Sequence, residues 1–159
     1  MNVHDGSEGL SRLAARLSQT KAFEAIDKNL ENSKLEIVAP AGAQNWVLAA
    51  IYELRRAKRL TNQHLVVVSS GKEAEELVDY LRLVAPEVEV LEFVSWETLP
   101  HERLSPSPET VGKRLATLHR LSELQNSDTP FFVVCSIRAA LQPVILGLDK
   151  YPALAFKVG

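Results

Sequence analysis

Cysteine is almost absent from this sequence. Its single cysteine, Cys135, lies in the apolar run FFVVC at 131–135. One cysteine excludes a framework of intramolecular disulfides, and no histidine or aspartate stands near it in a pattern typical of nucleophilic catalysis. We therefore predict that Cys135 is a small core residue, neither a nucleophile nor a metal ligand.

A strong excess of charge and a long apolar run are also missing. The formal net charge of −2 argues against a strongly basic nucleic-acid binder. No run approaches the roughly eighteen apolar residues of a membrane span, and residues 1–9 lack the apolar segment of a secretion signal. With 46% apolar and 24% charged residues, the composition is typical of one globular domain with a sizeable core. We expect a cytoplasmic protein.

Apolar spacing divides the chain into two parts. Residues 1–33 carry apolar positions at helical spacing and are predicted to form N-terminal packing helices. From 34 to 159, short apolar runs alternate with amphipathic stretches, as in strands joined by crossover helices. The predicted strands are 35–39, 65–69, 88–94 and 131–135, with a possible fifth at 153–158. The predicted crossover helices are 44–58, 72–84 and 109–125, which carry apolar residues at helical spacing, for example Leu77, Leu81 and Val84, or Val111, Leu115 and Leu118. This pattern predicts an α/β domain, a three-layer sandwich around a mostly parallel sheet.

Two helix starts can be located from side chains that suit helix ends. Ser70 followed by Glu73 forms a capping box. Ser107, Pro108 and Glu109 combine a capping hydroxyl, a proline in the first turn and an acid at the positive end of the helix dipole. A short helix is predicted after Ser136, ending near Pro143.

The turn after the first predicted strand is the natural place for a nucleotide site. A phosphate-binding loop needs glycines, a lysine and a hydroxyl residue. Only Gly42 remains here, and the last three positions of the pattern fall on Gln44, Asn45 and Trp46. Without the lysine and the hydroxyl, we predict no ATP hydrolysis and no bound cofactor.

The remaining chemistry-bearing residues give no stronger catalytic pattern. The four histidines have no spacing typical of a metal site, and no predicted strand ends in paired acids. His101, between Glu97 and Glu102, can be imagined as an acid–base group. An enzyme with its site in the loop 96–109 therefore stays an alternative.

The stretch 96–115, WETLPHERLSPSPETVGKRL, joins a strand to a helix through a loop of about a dozen residues, longer than a simple connection requires. Three strings are specific: FVSWETLPHERLSP at 93–106, ETVGKRLATLHRL at 109–121 and VVCSIRAALQP at 133–143. On these strings the chain resembles the bacterial transcription-repair coupling factor family (Mfd). A looser likeness over 35–83 extends the resemblance to about four fifths of the chain.

The resemblance implies a fold like the first module of the excision-repair helicase UvrB, a RecA-like domain with a decayed phosphate loop. It further implies that the full-length protein displaces stalled RNA polymerase from damaged DNA by ATP-driven translocation and recruits nucleotide excision repair through UvrA. In that family the UvrA-binding module would begin just past Gly159. This chain is then expected to be a non-catalytic scaffold for that module and a source of interdomain restraint, with RNA polymerase and DNA contacted by other modules.

One set of residues is predicted as a possible interaction surface: Trp96, His101, Arg103, Lys113, Arg114 and Arg120. Packing over the strand end is the favoured role for Trp96, ahead of base stacking. Lys113 and Arg120 are seven residues apart on one helix face and form either a weak phosphate track or an ordinary solvated face. A free-standing, weak DNA-binding module therefore also stays an alternative.

Overall fold

The computed structural model describes residues 3–40, 42–98 and 105–144. The predicted helices are confirmed, with ends that differ by a few residues. In chain order the elements are α1 (Val3–Ser18), a 3₁₀ turn (Lys21–Phe23), α2 (Glu24–Asn29), α3 (Gln44–Ala57), β1 (Gln63–Val68), α4 (Gly71–Val84), β2 (Glu89–Phe93), α5 (Pro108–Leu124), β3 (Phe131–Ser136) and α6 (Ile137–Leu141). The described chain thus alternates strands with crossover helices.

The three strands form an open, all-parallel sheet in the order β1–β3–β2. The central strand β3 places Val134 opposite Val66 of β1 and Phe132 opposite Val90 of β2. Parallel strands need crossover connections, and the helices between them lie against the sheet. The predicted α/β class is confirmed, and the arrangement is consistent with a three-layer sandwich.

One sheet face carries the main core. Helices α1, α3 and α4 pack together on this face. The buried core cluster includes the predicted helical positions Leu77, Leu81 and Val84, together with Phe132 and Val134 of β3. Cys135 is also buried, as predicted.

Helix α5 packs with an unexpected face. The spacing of Val111, Leu115 and Leu118 suggested an apolar contact face, yet Leu115 is 40% exposed. The buried residues are Thr110, Arg114, Thr117 and Leu124. Two of the polar side chains are buried because α5 lies against the edge strand β2, where Thr117 donates to the Glu92 carbonyl and Arg114 to the Val94 carbonyl just beyond the strand. The Thr110 hydroxyl donates to the carboxylate of Glu97.

The predicted strand at 35–39 is wrong. These residues belong to no helix or strand, and the side chain of Val38 is 93% exposed. A strand needs a neighbour to pair with, and β1 pairs only with β3 among the described residues. The possible fifth strand at 153–158 lies outside the described residues.

The two helix caps predicted at Ser70 and Ser107 are confirmed, and Ser136 is a third capping serine. The hydroxyls of Ser70, Ser107 and Ser136 accept hydrogen bonds from the amides of Glu73, Thr110 and Ala139, each 3.2 Å long. The second half of the capping box differs from expectation. Glu73 accepts from the amide and hydroxyl of Ser69, so its carboxylate joins the helix start to the end of β1.

Candidate functional site

One candidate site is a groove of about 500 Å³ at the carboxyl end of β1. It runs between this strand, the amino end of α3 and the extended residues 35–39. In open parallel sheets, ligands bind beyond the carboxyl ends of strands. The groove is lined mostly by apolar side chains, with Gln44, Asn45, Ser69 and Glu73 as its polar groups.

Gly42 keeps one property of a phosphate loop. Its φ of 84° lies in the left-handed region, where residues with a side chain are strained. Helix α3 then begins at Gln44, and its N-cap residue, Ala43, makes no side-chain capping bond. The turn therefore has the backbone shape of a loop that leads into a helix, without polar capping groups.

The side chains that bind a triphosphate are missing from the groove. None of the described residues that line it is a lysine or arginine, and Asn45 occupies the lysine position of the pattern. Trp46, at the hydroxyl position, packs against the core and meets the ring of Tyr80 edge-on at 5.4 Å. Because phosphate charge is normally neutralised by a lysine and a magnesium ion, the groove has little to offer a nucleotide triphosphate.

The described residues include no group of side chains that could bind a metal ion. Among residues 3–40, 42–98 and 105–144, no three histidine, cysteine, aspartate or glutamate side chains are grouped as a metal site would require. Among the described residues that line the groove, Glu73 is the one carboxylate. It already accepts two hydrogen bonds from Ser69, of 3.1 and 2.5 Å.

A second candidate region is the base of the long loop, where Glu97 joins the two ends of the loop. Its carboxylate accepts from the Thr110 hydroxyl at 2.6 Å, and from the amide and hydroxyl of Ser107, both at 2.9 Å. The bond from Thr110, followed by those from Ser107, holds the pKa of the Glu97 carboxyl below its usual range. Glu97 thus fastens the loop to the start of α5.

The side chain of Gln142, just after α6, holds the same loop from the other side. Its Oε1 accepts from the Trp96 amide at 2.7 Å, and its Nε2 donates to the Trp96 carbonyl at 3.4 Å. Arg138 also donates to the carbonyl of Glu97. Two elements that are more than forty residues apart in sequence are therefore joined at the loop base.

Arg114 fills the space beneath Trp96. Its guanidinium lies 4.0 Å from the ring centroid of Phe93 and 4.5 Å from that of Trp96, and Nη1 donates to the Val94 carbonyl at 2.6 Å. The side chain is 1% exposed, and burial lowers the pKa of the guanidinium. The aromatic faces partly replace the water that a buried cation loses.

The predicted interaction surface is not brought together as one exposed set. Trp96 is half-buried and Arg114 is buried, so Arg114 cannot contribute to an exposed surface. Lys113 pairs with Glu109 at 2.8 Å, and Arg120 pairs with Glu89 and Glu123, each at 2.7 Å. His101 and Arg103 lie outside the described residues.

Sequence reasoning did not find the roles of Glu97, Gln142 and Arg114. Each side chain bonds to a partner that no local periodicity connects to it. One feature of the sequence could have indicated that Arg114 is buried. It lies four residues after Thr110 and three before Thr117, so the three share the buried face of α5. A polar helix face, however, normally predicts exposure to solvent.

Fold and groove together define an α/β module with a parallel sheet and a groove at a strand end, whose described lining residues include no lysine or arginine. No protein-family model matches the sequence. No described helix is long and apolar enough to cross a membrane.

Comparison with curated proteins identifies the related protein. Over 129 residues, 79% of this chain, the sequence is 41% identical to the transcription-repair-coupling factor of Mycobacterium bovis. The transcription-repair-coupling factor of Mycobacterium tuberculosis gives the same identity over the same length. This confirms the resemblance inferred from the sequence and supports an amino-terminal module of such a factor. The chain spans about 10% of the length of these relatives.

Proposed function

We propose that this chain is a non-catalytic module of a transcription-repair coupling factor. The observation that carries the proposal is the groove beside α3, where Asn45 and Trp46 occupy the positions of the lysine and the hydroxyl residue and none of the described lining residues is a lysine or arginine. The energy for displacing a stalled RNA polymerase from damaged DNA would come from other parts of the longer protein.

The module's own task is structural. It acts as a scaffold for an adjoining UvrA-binding module and helps to restrain the domains of the full-length factor. Two hydrogen bonds between the Gln142 side chain and the Trp96 backbone support this role, because they fasten the segment after α6 to the α/β body. The partners of the complete protein would be UvrA, RNA polymerase and DNA.

Titration calorimetry with ATP and Mg²⁺ tests the non-catalytic part of the proposal. We expect no binding in the micromolar range, because each missing charge-assisted bond forgoes about 1.5–3 kcal/mol. Micromolar binding that is lost in Asn45→Ala and kept in Asn126→Ala would overturn it. Asn126 is an exposed asparagine between α5 and β3 and serves as the matched control.

UvrA affinity of the longer polypeptide tests the scaffold role. Leu81 is fully buried in the core and Leu83, two residues on in α4, is 50% exposed. We expect Leu81→Ala to weaken UvrA binding by loosening the module, whereas Leu83→Ala should leave it unchanged. Equal UvrA affinity in both variants, with the module measurably loosened by Leu81→Ala, would contradict a scaffold role.

The DNA-binding alternative receives little support from the described side chains. Lys113 and Arg120 are paired with carboxylates, and Arg114 is buried. We expect fluorescence anisotropy at physiological salt to show no duplex binding tighter than about 10⁻⁵ M. Tighter binding that weakens in Lys113→Ala would favour the alternative.

A further inference from the structure

A separate cleft lies at the other end of the sheet, where β1 and β3 begin. Its volume is about 440 Å³, and it runs between the last turns of α3 and the segments that lead into the two strands. The described residues that line it are Tyr52, Arg56, Arg59, Leu60, Thr61, Asn62, Asp128 and Pro130. None of them belongs to a site predicted from the sequence.

Several polar groups of this cleft already have partners inside the protein. Arg56 pairs with Glu87 at 3.0 Å. The side-chain amide of Asn62 donates to the Tyr52 carbonyl at 3.4 Å. These contacts fix the walls of the cleft, and the groups that make them are not free to bind a ligand.

Arg59 differs from its neighbours in two respects. Its guanidinium makes no hydrogen bond or ion pair with a described residue, whereas the adjacent Lys58 pairs with Asp27 at 2.9 Å. Its φ of 55° lies in the left-handed region, where a residue with a side chain is strained and glycine is not. Strained residues of this kind tend to cluster at ligand-binding and catalytic sites.

Thr61 supplies a second donor beside Arg59. Its carbonyl accepts from the Arg55 guanidinium at 2.9 and 2.7 Å, which holds this residue in place. Its hydroxyl is exposed in the cleft and donates to no described residue. The cleft therefore offers a cation and a neutral donor that are both available to a ligand.

We propose that Arg59 and Thr61 bind the carboxylate of an aspartate or glutamate side chain on another protein. A carboxylate only accepts hydrogen bonds, and a guanidinium and a hydroxyl both donate them. The segment that carries the carboxylate would lie across Leu60 and Pro130, which provide aliphatic surface in the same cleft.

The local charge favours one carboxylate over a nucleic acid. Arg59 and Arg56 are the two cations among the described lining residues. Arg56 is already paired with Glu87, and Asp128 adds a negative charge to the rim. Nucleic acids are normally bound by several cations along a surface, each neutralising a phosphate. A single available cation matches a single carboxylate.

An NMR titration of the nitrogen-labelled 159-residue chain tests the proposal. The probes are a capped tripeptide of leucine, aspartate and leucine, and the same peptide with asparagine in the middle. We expect the Arg59 Nε–H signal and the Leu60 and Thr61 amide signals to shift saturably with the aspartate peptide, with a dissociation constant of about 1 mM. The asparagine peptide should bind about tenfold more weakly. Equal affinity for the two peptides, or no saturable shift, overturns the proposal.

The variant Arg59→Gly separates binding from stability. It removes the guanidinium together with the backbone strain, so it should bind the aspartate peptide at least about tenfold more weakly although it is no less stable. Lys72→Gln is the control, since it removes a cation of α4 whose side chain is 85% exposed, and it should keep the affinity. Unchanged binding in Arg59→Gly overturns the proposal. A shift of the same signals by duplex DNA or inorganic phosphate at lower concentration than the peptide assigns the cleft to phosphate and also overturns it.

Discussion

The guanidinium of Arg114 stacks beneath the indole of Trp96, at 4.5 Å from the ring centroid. The contact joins the first residue of the long loop to the buried face of α5. It explains why α5 buries an arginine. The cation contacts two aromatic rings, Phe93 and Trp96, and donates a hydrogen bond to the Val94 carbonyl. The long loop is therefore anchored at its base by packing as well as by hydrogen bonds.

Removal of the Arg114 side chain should be costly. Arg114→Ala leaves a cavity beneath Trp96 and an unpaired carbonyl at Val94, and we expect the free energy of unfolding to fall by about 3–5 kcal/mol. Urea denaturation followed by circular dichroism measures it. Arg120→Ala, on the exposed side of the same helix, is the control and should cost no more than about 1 kcal/mol. Similar losses in the two variants would refute the buried role of Arg114.

The hydroxyl of Tyr80 is buried without a hydrogen-bond partner, and burial raises its pKa. Tyr80→Phe keeps the ring contact with Trp46 and removes the unsatisfied group. We expect the variant to be more stable by about 1 kcal/mol in the same denaturation experiment. Tyr52→Phe provides the comparison, because the Tyr52 hydroxyl does have a partner in Glu87, and it should give no gain. A loss of stability in Tyr80→Phe would show that the hydroxyl is satisfied in solution.

Stability should depend on the protonation of His64. The imidazole stacks on Phe132 at 4.7 Å, and its Nε2 lies 2.9 Å from Asn62 Oδ1. Burial, together with the positive charge of Arg55, lowers the pKa of His64 from 6.5 to about 4. Between these two values the unfolded chain binds the proton and the folded chain does not, so stability falls as the pH falls from 6.5 towards 4.

The loss assigned to His64 amounts to about 3 kcal/mol at most. The free energy of unfolding, measured by denaturation at several pH values, should fall more steeply with falling pH in the wild type than in His64→Gln. Above pH 7 the two pH dependences should be parallel. His119→Gln, on the surface of α5, is the control and should follow the wild type. If the free energy of unfolding of His64→Gln and of the wild type had the same pH dependence at every pH, His64 would not be the group responsible.

Arg59 follows α3 with a φ of 55°, in the left-handed region. Helices often end in this conformation, and glycine is the residue that adopts it without strain. The turn is closed by a hydrogen bond from the Leu60 amide to the Arg55 carbonyl at 2.9 Å. We expect Arg59→Gly to raise stability by about 0.5–1 kcal/mol. Arg59→Ala removes the same charge and keeps the strain, so it should give no gain; equal effects would point to the charge.

The part of the fold that was predictable from the sequence is the part set by local pattern. Helix α4 has its capping serine and its buried positions Leu77 and Leu81 where spacing placed them. The run at 131–135 forms the central strand, with β1 and β2 on its two sides. A continuously apolar sequence suits this position because a central strand of a parallel sheet is buried. The segment 35–39 has the same apolar character, yet no described strand pairs with it.

For the candidate site too, some features could be predicted from the sequence and others could not. The absence of a lysine at Asn45 and of a hydroxyl at Trp46 was visible in the sequence, because it concerns residue types at fixed spacing. The hydrogen bonds that Glu97 accepts from Ser107 and Thr110 span ten and thirteen residues across an irregular loop. No periodicity predicts such contacts, since they depend on how the loop returns to the sheet.

The sequence by itself determined the α/β class, the helix caps, the loss of a phosphate-binding pattern and the resemblance to transcription-repair coupling factors. These properties reside in local spacing and residue identity. The tertiary structure decided which side of α5 is buried and where Arg114 lies. Those outcomes depend on which backbone groups are left unpaired after the strands have been ordered, and that order is set by contacts between residues far apart in the chain.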